Sequence, residues 1–141
     1  MNHIELFAGC GGLSLGLESA GFKLVMANEL SPMAAETFAY NFFNENLEES
    51  CPESRVMWLS SNYEKENRKA RLREDPRKFP ELSENKSDFS ENTELNGKLV
   101  VGNIVQLNQW LDRNPKQVIE LRNAYGSEGG LDLVSGGPPC Q

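Results

Sequence analysis

The chain has 141 residues, of which 14 are Lys or Arg and 21 are Asp or Glu, for a net charge of −7 with 38% hydrophobic residues. That length suits one modest α/β domain with a real core and is too short for two. The acidic balance argues against a self-sufficient nucleic-acid grip, which needs a basic face to replace released counterions. No apolar run of roughly 18 residues and no basic leader before an apolar stretch occurs, so no membrane span is indicated and a cytoplasmic location is expected. Cys10, Cys51 and Cys140 are odd in number and share no Cys-x-x-Cys spacing, so reduced thiols and no metal site are expected.

In chain order, Ile4, Leu6 and Phe7 form a short apolar run that predicts a first strand. It enters Phe7-Ala8-Gly9-Cys10-Gly11-Gly12, behind which Leu13, Leu17 and Ala20 recur at helical spacing. A backbone that turns sharply at a strand end and lies against a ligand has no room for β-carbons. The opening turn of the helix, with its free N–H groups and dipole, favours a negatively charged group there. The competing reading is a structural turn with no ligand. A dinucleotide fingerprint would need glycine at position 14, where Ser14 stands, which weakens a nicotinamide reading.

Phe22 to Ala27 predicts a second strand that ends at Asn28-Glu29. An acid at that strand tip is placed to grip the two hydroxyls of a ribose, and it can equally be an ordinary acid before a helix. Ser31 is a suitable N-cap for that helix and Pro32 a suitable first residue. Across Pro32 to Asn44, Ala34, Phe38 and Phe42 predict one face packed on a sheet. From about 48 to 97 the composition turns polar and charged, which reads as an insertion with too little apolar content for a core and with high mobility. Within it Glu64 to Lys78 holds seven Lys/Arg against four Asp/Glu. A solvated helix is one reading and contact with a nucleic-acid backbone the other. Trp58 and Tyr63 are candidates to pin the insertion to the domain.

Order resumes with Lys98-Leu99-Val100-Val101 as a third strand, followed by Asn103 as a cap for a helix through Trp110. A further helix from Asn114-Pro115 is expected to run to about Tyr125 and stop at Gly126, with Val118, Leu121 and Tyr125 on one face. Leu131 to Ser135 predicts a fourth strand. Four strands alternating with helices imply parallel pairing through right-handed crossovers, with helices on both faces. In a doubly wound sheet the fourth strand lies beside the first. The two prolines of Gly136-Gly137-Pro138-Pro139-Cys140-Gln141 stiffen an arm that carries Cys140 next to the glycine loop, where a thiol suits a nucleophile. By itself Cys140 could equally be a small buried hydrophobe or part of a frayed end. His3 lies near the wrong end of the first strand to serve as its base.

Phe7-Ala8-Gly9-Cys10-Gly11-Gly12, Asn28-Glu29 and Gly137-Pro138-Pro139-Cys140-Gln141, in that order, resemble the first, second and fourth motifs of the S-adenosylmethionine-dependent DNA (cytosine-5) methyltransferases. The resemblance covers residues 1 to 46 and 98 to 141 and leaves the insertion unexplained. It implies a Rossmann-like α/β methyltransferase fold, incomplete at about four strands, with residues 1–141 forming the amino-terminal part of the catalytic domain. The implied cofactor contacts are Phe7 on the adenine ring, Ala8, Gly9, Cys10, Gly11 and Gly12 around the methionine end, and Glu29 on the ribose. Leu30 stands where a tryptophan often follows the glutamate, and Asn103-Ile104 stands where an aspartate usually meets the adenine amino group.

The resemblance also implies the reaction: methyl transfer to C5 of cytosine in double-stranded DNA, through a covalent adduct with Cys140, as in restriction-modification systems. The target base is flipped out of the duplex. The family's glutamate in Glu-Asn-Val, which protonates N3, has no counterpart here. That absence, with a chain ending one residue after Cys140, leads to the expectation of a fragment that is inactive alone and whose DNA contacts lie mostly elsewhere. An RNA cytosine-5 methyltransferase and a non-catalytic S-adenosylmethionine-binding subunit of a split enzyme are the alternatives.

Overall fold

The computed structural model describes residues 1–83, 86–123 and 130–139. Strands β1 (Asn2–Leu6), β2 (Lys23–Glu29), β3 (Val56–Trp58), β4 (Lys98–Val101) and β5 (Leu133–Gly136) form one all-parallel sheet in the order β3-β4-β2-β1-β5. This is the α/β, Rossmann-like arrangement that the sequence predicts, with five strands where four were expected. The strand order reverses beside β1, so the carboxyl ends of β1 and β5 lie together.

The helices are α1 (Gly12–Ser19), α2 (Pro32–Phe38), α3 (Arg68–Leu72), α4 (Ile104–Arg113) and α5 (Pro115–Asn123). They bury both sheet faces. One face packs Leu24, Ala27, Leu99 and Val101 against Ala35 and Phe38 of α2 and Leu72 of α3. The other packs Ile4, Val25, Met26 and Val100 against Leu107 of α4 and Leu121 of α5. The expected end of α5 at Tyr125 and Gly126 lies outside the described residues.

Local chemistry accounts for several boundaries. Ser31 caps α2 by accepting the Ala34 N–H at 3.3 Å with Pro32 as the first helical residue, and Asn103 caps α4 by accepting the Val105 N–H at 2.7 Å. The buried residues of α2 are Pro32, Ala35 and Phe38, so Ala35 takes the place of the Ala34 expected at this face. After Phe38 the helix widens into a π-helical turn, Ala39–Phe43. The extra residue in that turn brings both Phe42 and Phe43 onto Phe38, with ring centroids 5.3 and 5.4 Å away. Phe38 is fully buried and contributes about 2–3 kcal/mol of transfer free energy.

The segment expected to be mobile and thinly apolar holds a sheet strand. β3 pairs with β4 from Val56↔Leu99 to Trp58↔Val101, and Leu59 extends the pairing by donating its N–H to the Val101 carbonyl at 2.9 Å. Trp58, Leu59, Leu72 and Leu95 are all buried. Trp58 does pin the segment, whereas Tyr63 is 41% exposed and does not. The expected solvated helix over Glu64 to Lys78 is in fact the five-residue α3, and its Arg71 is buried against Asp88 at 2.9 Å. A 3-10 turn at Pro76–Lys78 follows.

Candidate functional site

The carboxyl ends of β1 and β2 carry the glycine loop. Phe7 takes a φ of 55°, rare outside glycine, and leaves the strand with its ring 37% exposed. The Ala8 N–H donates to the Asn28 carbonyl at 3.0 Å, so the chain is still tied to β2 as it turns. Gly9 and Gly11 then have φ of 57° and 89°, the left-handed region where a side chain is strained. A β-carbon on Gly11 would also lie 3.0 Å from the Phe38 ring. Gly11 is needed for packing beneath the loop. A β-carbon on Gly9 or Gly12 would meet nothing within 4 Å, so open space lies above them.

Glu29 ties this loop to the start of α2. One carboxylate oxygen accepts the Gly9 N–H at 2.6 Å and the other accepts the Ser31 N–H at 2.8 Å. Each oxygen retains a lone pair for another donor. Behind it, the Asn28 side-chain amide is buried and donates to the carbonyls of Val100 and Gly102, both at 3.0 Å. The Gly102 N–H returns to the Glu29 carbonyl at 3.0 Å. Asn28 thus clamps the tip of β2 to β4 and sets Glu29 and Asn103 on one rim. Leu30 follows with 39% exposure. Asn103 is exposed, with its side-chain oxygen already engaged as the α4 cap. Ile104 packs on the core behind it.

Two residues under the loop carry roles that motif reading missed. Glu5, in the middle of β1, is 2% exposed and accepts a hydrogen bond from the hydroxyl of Ser14, itself fully buried in α1. Ser14 therefore holds the helix start to the strand, a role for the residue that breaks the dinucleotide fingerprint. Burial pushes the Glu5 carboxyl above its ordinary value, and the nearby Glu29 charge adds to this, while the Ser14 hydroxyl and N–H pull the other way. An acid inside an apolar strand run was the available signal. Since the raised pKa favours the protonated folded form, the stability it contributes is full below about pH 4.3, the unfolded glutamate value. That stability is lost as pH climbs through the folded value. Glu5→Gln, which keeps an acceptor for Ser14, should flatten this part of the pH–stability curve measured by urea unfolding. An unchanged slope would remove Glu5 as its source.

His3 is fully buried at β1, with both ring nitrogens lacking a partner, and burial holds its pKa below the usual value. It is a sealed neutral residue stacked edge-on against Phe22. Cys10 is an exposed free thiol and Cys51 a half-buried one. Among the described residues no cluster of His, Cys, Asp and Glu could hold a metal ion, and no helix is long and apolar enough to cross a membrane. Cys140 lies outside the described residues. The arm leading to it, Gly137 to Pro139, follows β5 directly, and β5 pairs with β1 from His3↔Leu133 to Leu6↔Gly136.

Residues 1–60 match the family model for C-5 cytosine-specific DNA methylase. The chain is 32% identical to DNA (cytosine-5)-methyltransferase 3 of Arabidopsis thaliana over 98% of its own length, covering 8% of that relative. It is 29% identical over its whole length to a protein of Methanocaldococcus jannaschii provisionally named a type II methyltransferase, covering 36% of it. It is 54% identical over 44 residues to a type II methyltransferase of Psychrobacter, a match spanning 31% of this chain and 11% of that one. The chain thus spans little more than a third, at most, of these relatives. No solved structure matches. The matched segment carries β1, the glycine loop, β2 and Glu29, so the likeness to the C-5 cytosine-specific DNA methylase family lies in the residues that build this site.

Proposed function

We propose that the chain is the cofactor-binding part of an S-adenosylmethionine-dependent DNA cytosine-5 methyltransferase of the restriction-modification kind, acting in the cytoplasm. The observation that carries this reading is the Glu29 carboxylate, held by the Gly9 and Ser31 N–H groups beneath open space over Gly9 and Gly12. The residues fit the cofactor. Glu29 offers its remaining lone pairs to the ribose hydroxyls, Phe7 and Leu30 offer exposed apolar surface to the adenine, and Asn103-Ile104 borders the same rim. Ala8 to Gly12 receive the methionine end. The α1 first turn has no acidic residue to neutralise its dipole, which favours a carboxylate there.

S-adenosylmethionine, when bound, supplies an electrophilic methyl group on a sulfonium. Cys140 is the nucleophile toward the base. Its thiolate adds to cytosine C6, the displaced electron pair makes C5 nucleophilic, and C5 takes the methyl group. Loss of the C5 proton then returns the pair that expels the thiolate and restores the ring. Duplex DNA is the substrate, with the base flipped to reach the site. The 141 residues hold no Glu-Asn-Val to protonate N3.

Two results test this. The 141-residue chain alone should show no tritiated methyl transfer to mixed-sequence DNA, and the Glu-Asn-Val-bearing segment of the same enzyme added in trans should restore it. Turnover by the chain alone would overturn the division of labour, and rescue on transfer RNA in place of DNA would overturn the substrate. Glu29→Ala should weaken S-adenosylmethionine binding by about 2 kcal/mol, roughly thirtyfold in Kd, through loss of charged hydrogen bonds. Asn103→Asp keeps the α4 cap and adds charge to the acceptor, so affinity should hold or rise. Titration calorimetry reads both, and an unaffected Glu29→Ala would remove Glu29 from the ribose site.

A further inference from the structure

The segment after β3 gathers positive charge in an acidic chain: seven Lys/Arg against four Asp/Glu between Glu64 and Lys78, where the whole chain carries −7. The fold sorts these charges by exposure. Arg71 is drawn inside to Asp88, and Arg77 is paired with Asp75 at 2.8 Å. Glu74 is turned inward as well, 8% exposed, accepting from the Ser61 hydroxyl at 2.6 Å and the Asn62 N–H at 2.8 Å. Outside, Glu64 is paired with Lys86 at 3.1 Å and Glu66 is exposed, beside a larger number of exposed cations. Lys69, Arg73 and Lys78 are exposed, and none is in a salt bridge among the described residues. Together with Tyr63 they line a groove of about 600 Å³ whose wall also holds Glu74, bonded to Ser61 and Asn62, and Asp75, paired with Arg77.

We propose that this groove binds the phosphate backbone of duplex DNA, a contact that rests on the DNA methyltransferase reading and adds a binding surface to it. Lys69 stands in α3 and Arg73 is the residue that caps its carboxyl end. The groove is too large for one phosphate and suits a run of them. The overall charge of −7 does not cancel it, because at physiological salt a charge beyond about 8 Å is largely screened and a bound phosphate responds to its neighbours. Position supports the same partner. The segment leaves β3 at the carboxyl end of the sheet, where Leu59 is bonded to Val101 and the Ser60 hydroxyl donates to Gln106 of α4 at 2.7 Å. Glu29 and Asn103 stand on that same rim, so a duplex offering a base there can lay its backbone on α3. The Tyr63 hydroxyl supplies a neutral donor for the same oxygens.

The test is fluorescence anisotropy of a labelled 30-base-pair duplex titrated with the 141-residue chain at several salt concentrations, beside calorimetry with S-adenosylmethionine. The wild type should bind with a salt-dependent affinity. Combined Lys69→Ala, Arg73→Ala and Lys78→Ala should weaken binding on the order of tenfold or more at 0.1 M salt. The same variant should reduce the slope of log affinity against log salt by about 3, with cofactor affinity unchanged. Lys23→Ala, an exposed cation at the opposite end of the sheet, should change neither. An unchanged slope in the triple variant overturns the proposal, as does tighter binding to single-stranded RNA of equal length. Cofactor binding without any duplex binding overturns the groove and leaves the cofactor site standing, whereas loss of both overturns the two together.

Discussion

Cys140→Ser should bring methyl transfer to background in the enzyme assembled from this chain and its complementing segment, while S-adenosylmethionine affinity stays within a few-fold. A serine hydroxyl is almost entirely protonated at neutral pH and adds to cytosine C6 far more slowly than a thiolate, so the expected loss is on the order of a thousandfold or greater. Cofactor affinity is spared because the proposed ribose and adenine contacts lie at the ends of β1, β2 and β4, and Cys140 follows β5. Duplex DNA carrying 5-fluorocytosine separates chemistry from binding: the fluorine blocks loss of the C5 proton and traps the adduct. The wild-type assembly should give a covalent complex that resists denaturation. A serine variant that still gives one would exclude Cys140 as the nucleophile.

Gly136→Ala is expected to damage both stability and turnover, for a reason of space. Gly136 pairs with Leu6 at the last position of the β1–β5 ladder, and a β-carbon there would lie 2.3 Å from the Leu6 carbonyl oxygen. That oxygen is backbone and has no rotamer in which to retreat, so β5 must lift from β1. Overpacking of this kind costs about 3 kcal/mol. The displaced strand is the one from which the Pro138-Pro139 arm springs, and a misplacement of about 1 Å at a reacting group can cost a hundredfold in rate. Urea unfolding should show a lower midpoint, and turnover should fall while cofactor binding persists. Val134→Thr, at a 56% exposed position of the same strand, should leave both near wild type. A Gly136→Ala protein with normal stability would refute the close approach of β5 to β1.

Where an element announces itself locally, the sequence was enough. β1, β2, β4 and β5 are apolar runs ended by glycine or by a capping residue, and Ser31-Pro32 and Asn103 mark helix starts by side-chain chemistry that acts within three residues. β3 was illegible because Val56-Met57-Trp58 is too short to show a period, and it is a strand through its pairing with β4, more than forty positions away. Arg71 was misread as solvated for the same reason: what buries it is Asp88, seventeen positions on. Of the site, Glu29 and the glycine loop were legible as a motif. The bonds from Gly9 and Ser31 to Glu29 and the clamp from Asn28 to β4 were not, since they depend on how strand ends meet. Glu5 and Ser14 could have been found as an acid within an apolar strand facing a hydroxyl one helical turn past the loop.

The bonds from Gly9 and Ser31 to Glu29 have a kinetic consequence. A glycine-rich loop that was loose when empty would have to surrender backbone freedom on each encounter, at roughly 1–2 kcal/mol of entropy per residue ordered. Here the loop is ordered beforehand: Gly9 is tied to the Glu29 carboxylate, which Ser31 holds at the start of α2, and Gly11 packs on Phe38. Association should therefore be a single, fast, second-order step with no slow rearrangement after it, and most of the variation in affinity among loop variants should fall in the dissociation rate. Glu29→Ala is the informative exception: by freeing the Gly9 end it should slow association as well as hasten release.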